Sequence, residues 1–238
     1  MSSAHDAMAI AAAQGRRLAP YVYDVVKERL LGGEWLAGQS IAVEALKNEL
    51  GVSKQPVMDA LRRLAVDGLV EVIPQVGCRV PRFVPEEVDD FFVLFASLEA
   101  ESAAIAAQRR AESQIEELVR INKIIGSSTT VVDPAVRAHQ YRTLNRQFHS
   151  VVLSMARSAV VSRTSNRMWD MSDMLINVTR AQNPLAGEVV DRHADHERII
   201  AALRARDVDT VRAEMRSHIL RNIGMLRAAL PSLDHRVG

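Results

Sequence analysis

Three histidines in the C-terminal two thirds of the chain could take part in metal chemistry. His149 ends the segment Asn-Arg-Gln-Phe-His, which puts it four residues after Asn145 and on the same face of a helix. His196 and His218 fall in later helical segments. Helices that face one another in a bundle can bring such side chains to one interior point, where neutral imidazoles bind zinc or nickel. The same pattern also suits buried histidines that are satisfied by hydrogen bonds.

A second group of polar residues could contact DNA. Ser53, Lys54 and Gln55 stand at the beginning of a predicted helix. The N-terminal residues of a recognition helix enter the major groove, where side chains meet base edges and phosphates. Lys54 can bond a guanine edge or a phosphate, and Gln55 can read adenine. Ser53 can meet a phosphate.

Both groups need elements that position them, and the N-terminal part of the chain predicts a helix-turn-helix followed by a wing. The expected elements are helices over 21–31, 43–50 and 53–68 and short strands over 69–73 and 78–81. Gly51 lies in the turn, and the hydroxyl of Ser53 can cap the third helix. Two small strands after a helix-turn-helix form a wing, with Gly77 at its tip.

The remainder of the chain predicts an all-helical antiparallel bundle. Helices are expected over 86–110, 113–126, 134–157, 159–180, 187–204 and 208–230. The fold class is therefore mainly α, with an N-terminal winged helix-turn-helix and a C-terminal helical bundle. We expect an N-terminal arm over 1–17, a DNA-binding domain over 18–83, and an effector-binding and dimerisation domain over 86–230.

The amino-acid composition indicates where the protein is found more than what it does. The formal net charge of +1 over 238 residues gives no support to DNA binding by overall charge, so that prediction rests on local pattern. Cys78 is the single cysteine, which excludes an internal disulfide and suits a reducing compartment. No apolar run is long enough to span a membrane, and no signal peptide is recognisable. We expect a cytoplasmic, nucleoid-associated protein.

The segment from Gly51 to Val80 closely resembles the winged helix-turn-helix of the GntR family of bacterial repressors. The matches include Gly51, Val52, Ser53, Pro56, Val57, Ala60, Leu61, Arg62, Arg63, Leu64, Gly68, Leu69, Val70 and Gly77. The resemblance implies DNA contacts by Ser53, Lys54, Gln55, Pro56, Met58 and Gly77. Lys54 and Met58 stand where the family has arginines, Gln55 replaces a threonine, and Glu44 stands where some members have arginine. The alternative is a helical hairpin with a β-extension that is used for protein contact.

Residues 86–230 resemble the C-terminal effector domain of the FadR subfamily, the FCD domain. The motifs that carry the resemblance are Asn145 to His149, His196 to Asp207 and Met215 to Ile219. Many such domains hold zinc or nickel beneath an organic-acid pocket. The resemblance implies that the metal ligands are Asn145, His149, His196 and His218. Asn145 replaces the usual aspartate, which removes one negative charge.

The effector pocket departs from the same family pattern. Phe95 occupies the place of an arginine that often meets the effector carboxylate. Core packing is the simple explanation for a phenylalanine there. If the residue does line a pocket, the change favours a bulkier or less acidic ligand, or carboxylate binding by another group such as Arg142 or Arg180.

Taken together, these patterns predict a ligand-responsive transcriptional regulator, most simply a repressor. It is expected to act as a homodimer, with two recognition helices about one turn of DNA apart. Two alternatives remain open: a metal-responsive regulator and a metal-dependent hydrolase. Against an enzyme, the segment beginning at His196 lacks the second histidine of H-E-x-x-H, and no phosphate loop or nucleophile motif is evident.

Overall fold

The computed structural model describes residues 18–74, 77–178 and 183–229 of the chain. It divides into two compact units, and the division falls between Phe83 and Val84. The first unit is a helix-turn-helix with a small sheet, and the second is built from helices, so the predicted fold class is confirmed. The predicted arm over 1–17 lies outside the described residues. Within the described ranges no helix is long and apolar enough to cross a membrane.

The first unit contains three helices and a three-stranded antiparallel sheet among its described residues. They follow in the order α1 (18–31), β1 (Ser40–Ile41), α2 (Val43–Leu50), α3 (Lys54–Val66), β2 (Glu71–Ile73) and β3 (Gly77–Arg79). The strand order is β1-β3-β2, so β3 is central. In the register, Ile41 lies opposite Cys78, and Cys78 lies opposite Val72. The two wing strands were predicted; β1, which completes the sheet, was not.

The turn between α2 and α3 depends on backbone conformation at Gly51. Its φ of 64° is left-handed, which favours glycine, and it ends α2. The buried face of α3 consists of Pro56, Val57, Ala60, Leu61 and Leu64. Their spacing covers one side of the helix, which packs into the core of the unit and leaves the other side to solvent.

The second unit consists of six α-helices and two short 3-10 helices within the described residues. The α-helices are α4 (Pro85–Arg109), α5 (Glu112–Ser127), α6 (Pro134–Met155), α7 (Ala159–Asn177), α8 (Val189–Ala205) and α9 (Val208–Ala229). The 3-10 helices cover Ser128–Thr130 and Pro184–Gly187. The six predicted helices of this part are present among the described residues, with ends that differ from the predicted ones by a few positions.

Helix α4 is the central element of this unit and packs most extensively on α9. It begins at Pro85, and the Glu87 side chain accepts a hydrogen bond of 3.1 Å from the backbone N–H of Val84. Its buried face carries Ala96, Ala100, Ala103 and Ala107, together with other small residues. Small side chains let the neighbouring helices approach closely. The core between them can therefore be filled without many large aromatic side chains.

Two arginines tie the C-terminal ends of α4 and α8 together. Arg206 donates to the carbonyl oxygen of Gln108 at 2.9 Å, and Arg110 donates from Nε to the carbonyl oxygen of Leu203 at 2.8 Å. Arg110 Nη2 also donates to the carbonyl oxygen of Arg204 at 2.5 Å. Each arginine thus satisfies carbonyls at the end of the other helix, where positive charge is favoured. We call this pair the arginine clamp.

Candidate functional site

Three helices of the second unit bring His149, His196 and His218 together. His149 lies on α6, His196 on α8 and His218 on α9, and their exposed fractions are 1%, 0% and 3%. One ring nitrogen from each lies within 4.8 Å of the others. We call this group the histidine cluster. It was predicted from motifs far apart in sequence, and the fold brings its three members into contact.

The spacing of the histidine cluster suits a shared metal ion. The Nε2 atoms of His149 and His218 are 3.2 Å apart. Two imidazole nitrogens on a tetrahedral ion, each about 2.0–2.1 Å from it, are roughly 3.3 Å apart. Neither ring nitrogen of His196 has a hydrogen-bond partner among the described residues. Buried polar atoms are normally satisfied, so the two nitrogens of His196 are available for an ion, whereas the 3.2 Å contact between His149 and His218 also suits a hydrogen bond.

Burial keeps the histidine cluster in the form that binds metals. It lowers the pKa values of His149 and His196 well below the ordinary 6.5. It lowers the pKa of His218 to about 4, although the nearby Asp195 opposes the shift. All three imidazoles are therefore neutral near pH 7, and each can offer a lone pair.

Two buried carboxyl groups face the outer nitrogens of the histidine cluster. Asp195 Oδ2 accepts a hydrogen bond of 3.1 Å from Nδ1–H of His218, which leaves the lone pair on Nε2 directed towards the cluster. Glu99 Oε2 lies 3.8 Å from Nδ1 of His149. Burial raises the pKa of Glu99 to about 7, against the effect of a hydrogen bond from the Ser165 hydroxyl. Carboxylates in this position orient ligating histidines and raise their basicity.

Asn145 lies beside the histidine cluster on α6. Its Oδ1 accepts a hydrogen bond of 3.0 Å from the hydroxyl of Tyr141. Asn145 and His218 line the same small cavity. An amide oxygen has two lone pairs, so it can hold the tyrosine proton and still ligate an ion.

The cavity beside the histidine cluster has a volume of about 10 Å³, room for about one water molecule. Its walls include Tyr141, Asn145, Trp169, Arg192 and Asn222. Arg142, a predicted effector residue, also lines it, and Arg142 Nη1 lies 4.0 Å from Asp173 Oδ2.

Of the other two predicted effector residues, the structure describes only Phe95. Phe95 is fully buried, and its ring meets the ring of Trp169 edge-on at 5.0 Å, so it serves core packing instead of lining the cavity. Arg180 lies outside the described residues.

The candidate DNA-contacting surface is the N-terminal end of α3. Ser53, Lys54 and Gln55 are exposed there, as a recognition helix requires. Lys54 Nζ lies 4.0 Å from a carboxylate oxygen of Glu44, and Gln55 donates to Asp59 at 2.9 Å. The predicted capping role of Ser53 is wrong: it occupies the N-cap position, but its side chain makes no capping hydrogen bond.

Other residues predicted to contact DNA lie in different surroundings. Pro56 is buried, so its ring belongs to the core face of α3 and not to the exposed surface, and Met58 is half-buried. Gly77 has a φ of 131°, and a Cβ built there would meet no other atom within 4 Å. The backbone is thus open at this end of β3, and a side chain would strain it. Arg63, one of the residues that match the family pattern, lies over the ring of Tyr23 at 4.2 Å from its centroid.

Comparison with protein families identifies both units. The model of bacterial regulatory proteins of the gntR family matches residues 18–80, and the FCD domain model matches residues 90–221. The chain belongs to the GntR family of bacterial regulatory proteins. This GntR-family chain is thus a DNA-binding transcriptional regulator with an effector domain, as its motifs predicted.

Relatives of this GntR-family regulator share its whole architecture. It is 21% identical to the HTH-type transcriptional repressor GlaR of Escherichia coli K12 over 209 residues. This alignment covers 87% of the chain and 95% of GlaR. It is 24% identical over 225 residues to the HTH-type regulator BphR of Paraburkholderia xenovorans LB400, covering 93% and 90%. The solved structure of E. coli McbR/YncC superposes with a TM-score of 0.76 at 20% identity, covering 89% and 97%, which shows a shared fold.

Two residues of this GntR-family regulator escaped the sequence analysis. Arg192 and Asp195 are both buried beside the histidine cluster on α8. A signal for Arg192 was present: Val189, Arg192, His196 and Ile199 recur at helical spacing, so the arginine interrupts an otherwise inward-facing stripe. Asp195 directly precedes His196, and only the packing of α8 against α9 reveals that it meets His218.

Proposed function

We propose that this regulator is a repressor of the FadR subfamily whose operator affinity is set by a small organic acid bound above a metal ion. The observation that carries the proposal is the convergence of three buried neutral imidazoles, with both nitrogens of His196 unsatisfied within the described part of the chain. The repressor assignment is supported by the name of the relative GlaR.

His149, His196 and His218 would hold the metal, with the amide oxygen of Asn145 as a fourth donor. Zinc and nickel are the ions that suit this set of imidazoles. Bound there, the ion would supply a Lewis-acidic site for an anionic oxygen. The protein's own residues do the rest: Asp195 orients His218, and the stacked ring of Phe148, at 3.9 Å, fixes His196.

At the DNA, we propose that two copies of the chain place their α3 helices in successive major grooves of a pseudo-palindromic operator. Lys54 and Gln55 would contact base edges, Ser53 a phosphate, and the backbone at Gly77 the minor groove. Met58 cannot donate to guanine, so the operator should differ from those of relatives with arginine there. The site of action is the bacterial cytoplasm, and no enzymatic role is proposed.

The test is operator binding measured with metal and effector varied separately. Full-length protein is stripped with chelator, reloaded with zinc or nickel, and titrated with upstream DNA and a panel of organic acids by fluorescence anisotropy. We expect one bound ion per chain and an acid-dependent change in operator affinity that needs the ion. His218→Ala should abolish both, and exposed His139→Ala should change neither.

Two outcomes would contradict the proposal. Operator affinity that follows metal concentration and ignores every acid would show that the metal itself is the signal. Protein that binds no DNA fragment at low salt would refute the DNA-binding role.

A further inference from the structure

Gln55 and Asp59 form a hydrogen-bonded pair on the solvent side of α3. Nε2 of Gln55 donates to Oδ1 of Asp59 at 2.9 Å. The two residues are four positions apart, which is the spacing at which side chains of one helix meet. Gln55 is the second residue of α3, so the pair lies at the end that a recognition helix presents to base edges.

Arg62 continues the same row of α3 beyond Asp59. Its Nη1 donates to Oδ1 of Asp59 at 3.0 Å, so one carboxylate oxygen accepts from both neighbours. The side chains of Asp59 and Arg62 are both in contact with solvent. A carboxylate close to DNA repels the phosphates, and the guanidinium of Arg62 offsets that charge. An acidic residue on this surface is therefore compatible with DNA binding.

The hydrogen bond to Asp59 changes what Gln55 can offer to a base. A glutamine amide has one acceptor oxygen and two N–H donors. Asp59 takes one of the two N–H groups. Within the described residues, neither the amide oxygen nor the second N–H of Gln55 has a hydrogen-bond partner. Gln55 thus presents one acceptor and one donor side by side.

One acceptor beside one donor is the pattern that matches adenine. In the major groove, adenine presents the N6 amino donor beside the N7 acceptor, whereas guanine presents two acceptors, O6 and N7. An unrestrained glutamine can turn its NH2 group towards guanine and donate both hydrogens. The amide that is bonded to Asp59 has only one hydrogen left to donate. The pair therefore favours adenine over guanine.

The hydrogen bond between Gln55 and Asp59 gains strength at an interface. On an exposed helix such a pair adds little to stability, because water competes for both groups. In a groove from which water is displaced, a hydrogen bond to a carboxylate is stronger than one between neutral groups. If Gln55 turned away there, Asp59 would lose a donor without water to replace it. The orientation of the amide is thus most restrained when α3 meets a base.

We propose that Asp59 is a positioning residue that holds the amide of Gln55 in the orientation that reads adenine and disfavours guanine. This assignment rests on the proposed function, because it requires α3 to enter the major groove. It adds an acidic residue, which acts through Gln55, to the residues that the sequence predicted to contact DNA.

The test measures base preference and overall affinity separately on full-length protein. Duplexes that wild type selects from a randomised pool define the half-site, and each base pair is then replaced in turn and measured by fluorescence anisotropy at fixed salt. At one position of each half-site, wild type should bind adenine roughly 10- to 100-fold more tightly than guanine. Gln55→Ala should lose that preference. Asp59→Ala should reduce it roughly 3- to 10-fold and bind the guanine duplex more tightly than wild type does, because it removes a negative charge.

Three controls separate the hydrogen bond from charge. Asp59→Glu keeps a carboxylate four residues from Gln55 and should retain most of the adenine preference. Glu44→Gln removes a different acid, one that lies 4.0 Å from Lys54 Nζ, and should strengthen binding to both duplexes alike. The double variant Gln55→Ala, Asp59→Ala should have the adenine preference of Gln55→Ala alone, because Asp59 acts only through Gln55.

If Asp59→Ala is not helical by circular dichroism, Asp59→Leu takes its place, because leucine also lacks an acceptor and favours helix. The assignment is overturned if the folded variant keeps the wild-type ratio of adenine to guanine affinity, or if no position of the half-site depends on Gln55. An equal loss of affinity for every duplex would also overturn it, since a purely structural role has that effect. Protein that binds no duplex at low salt would instead refute the DNA-binding role itself, and the assignment with it.

Discussion

Asp195→Asn should weaken metal binding without removing a ligand. Asp195 is 2% exposed and His218 is 3% exposed, and the carboxylate accepts a hydrogen bond of 3.1 Å from the imidazole Nδ1–H. An asparagine there keeps the shape but loses the charge that fixes the ring. Loss of a carboxylate behind a ligating histidine costs about 10- to 100-fold in metal affinity, or roughly 1.4–2.7 kcal/mol.

The assay is competition with a chromophoric chelator, supported by the visible spectrum of the cobalt-substituted protein, which reports ligand geometry. Asp195 also pairs with Arg198, so Arg198→Gln serves as the matched control. That arginine is 44% exposed, and loss of an exposed ion pair costs less than about 1 kcal/mol. Arg198→Gln should therefore stay within about fivefold of wild type.

Two results would refute this reasoning. A folded Asp195→Asn protein with wild-type zinc affinity and an unchanged cobalt spectrum would show that the carboxylate does not position His218. An equal loss in Arg198→Gln would place the effect in the packing of α8 instead.

Four further predictions concern stability and DNA binding. In chelator, burial holds the pKa of His218 near 4 instead of the ordinary 6.5, so the unfolded state binds more protons between these values and stability rises with pH. The contribution of His218 alone is roughly 3 kcal/mol in urea denaturation, and the lowered pKa values of His149 and His196 add to it. Glu99, with its pKa raised to about 7, acts oppositely between 4.5 and 7, so Glu99→Gln should be more stable than wild type at pH 8; equal stability there would contradict it. Lys54→Ala should weaken operator binding and lower the salt slope by about 1, whereas Glu44→Gln should strengthen binding in the same anisotropy assay, because the carboxylate lies 4.0 Å from Lys54 Nζ. Phe95→Ala should cost about 3–5 kcal/mol in urea denaturation, and a loss below about 1 kcal/mol would be inconsistent with its place in the core.

Helix positions were predictable because proline and glycine mark them locally. Pro85 and Pro134 begin α4 and α6, and Gly51 ends α2, each through its own backbone preference. Strand β1 was not predictable, because two residues show no periodicity and its partner β3 follows nearly forty positions later.

The histidine cluster was predictable only in part. His149 and His218 are 69 positions apart in the sequence, so their spacing could not establish that they meet. The prediction that they share a site came from the family motifs around them. Arg192 was missed for a physical reason. Charged residues are normally exposed, so an arginine in a sequence is assigned to the surface, whereas Arg192 is buried.

The arginine clamp gives α4 one end that is tied to α8 through backbone carbonyl groups. Arg110 and Arg206 lock its C-terminal end to α8, and 25 residues of helix, about 37 Å, extend from that fixed point back to Pro85. A rotation of only about 5° around the locked end would displace the far end by roughly 3 Å. The far end directly follows the boundary between Phe83 and Val84, so a rotation about the clamp would be felt most where the chain passes from the first unit into α4.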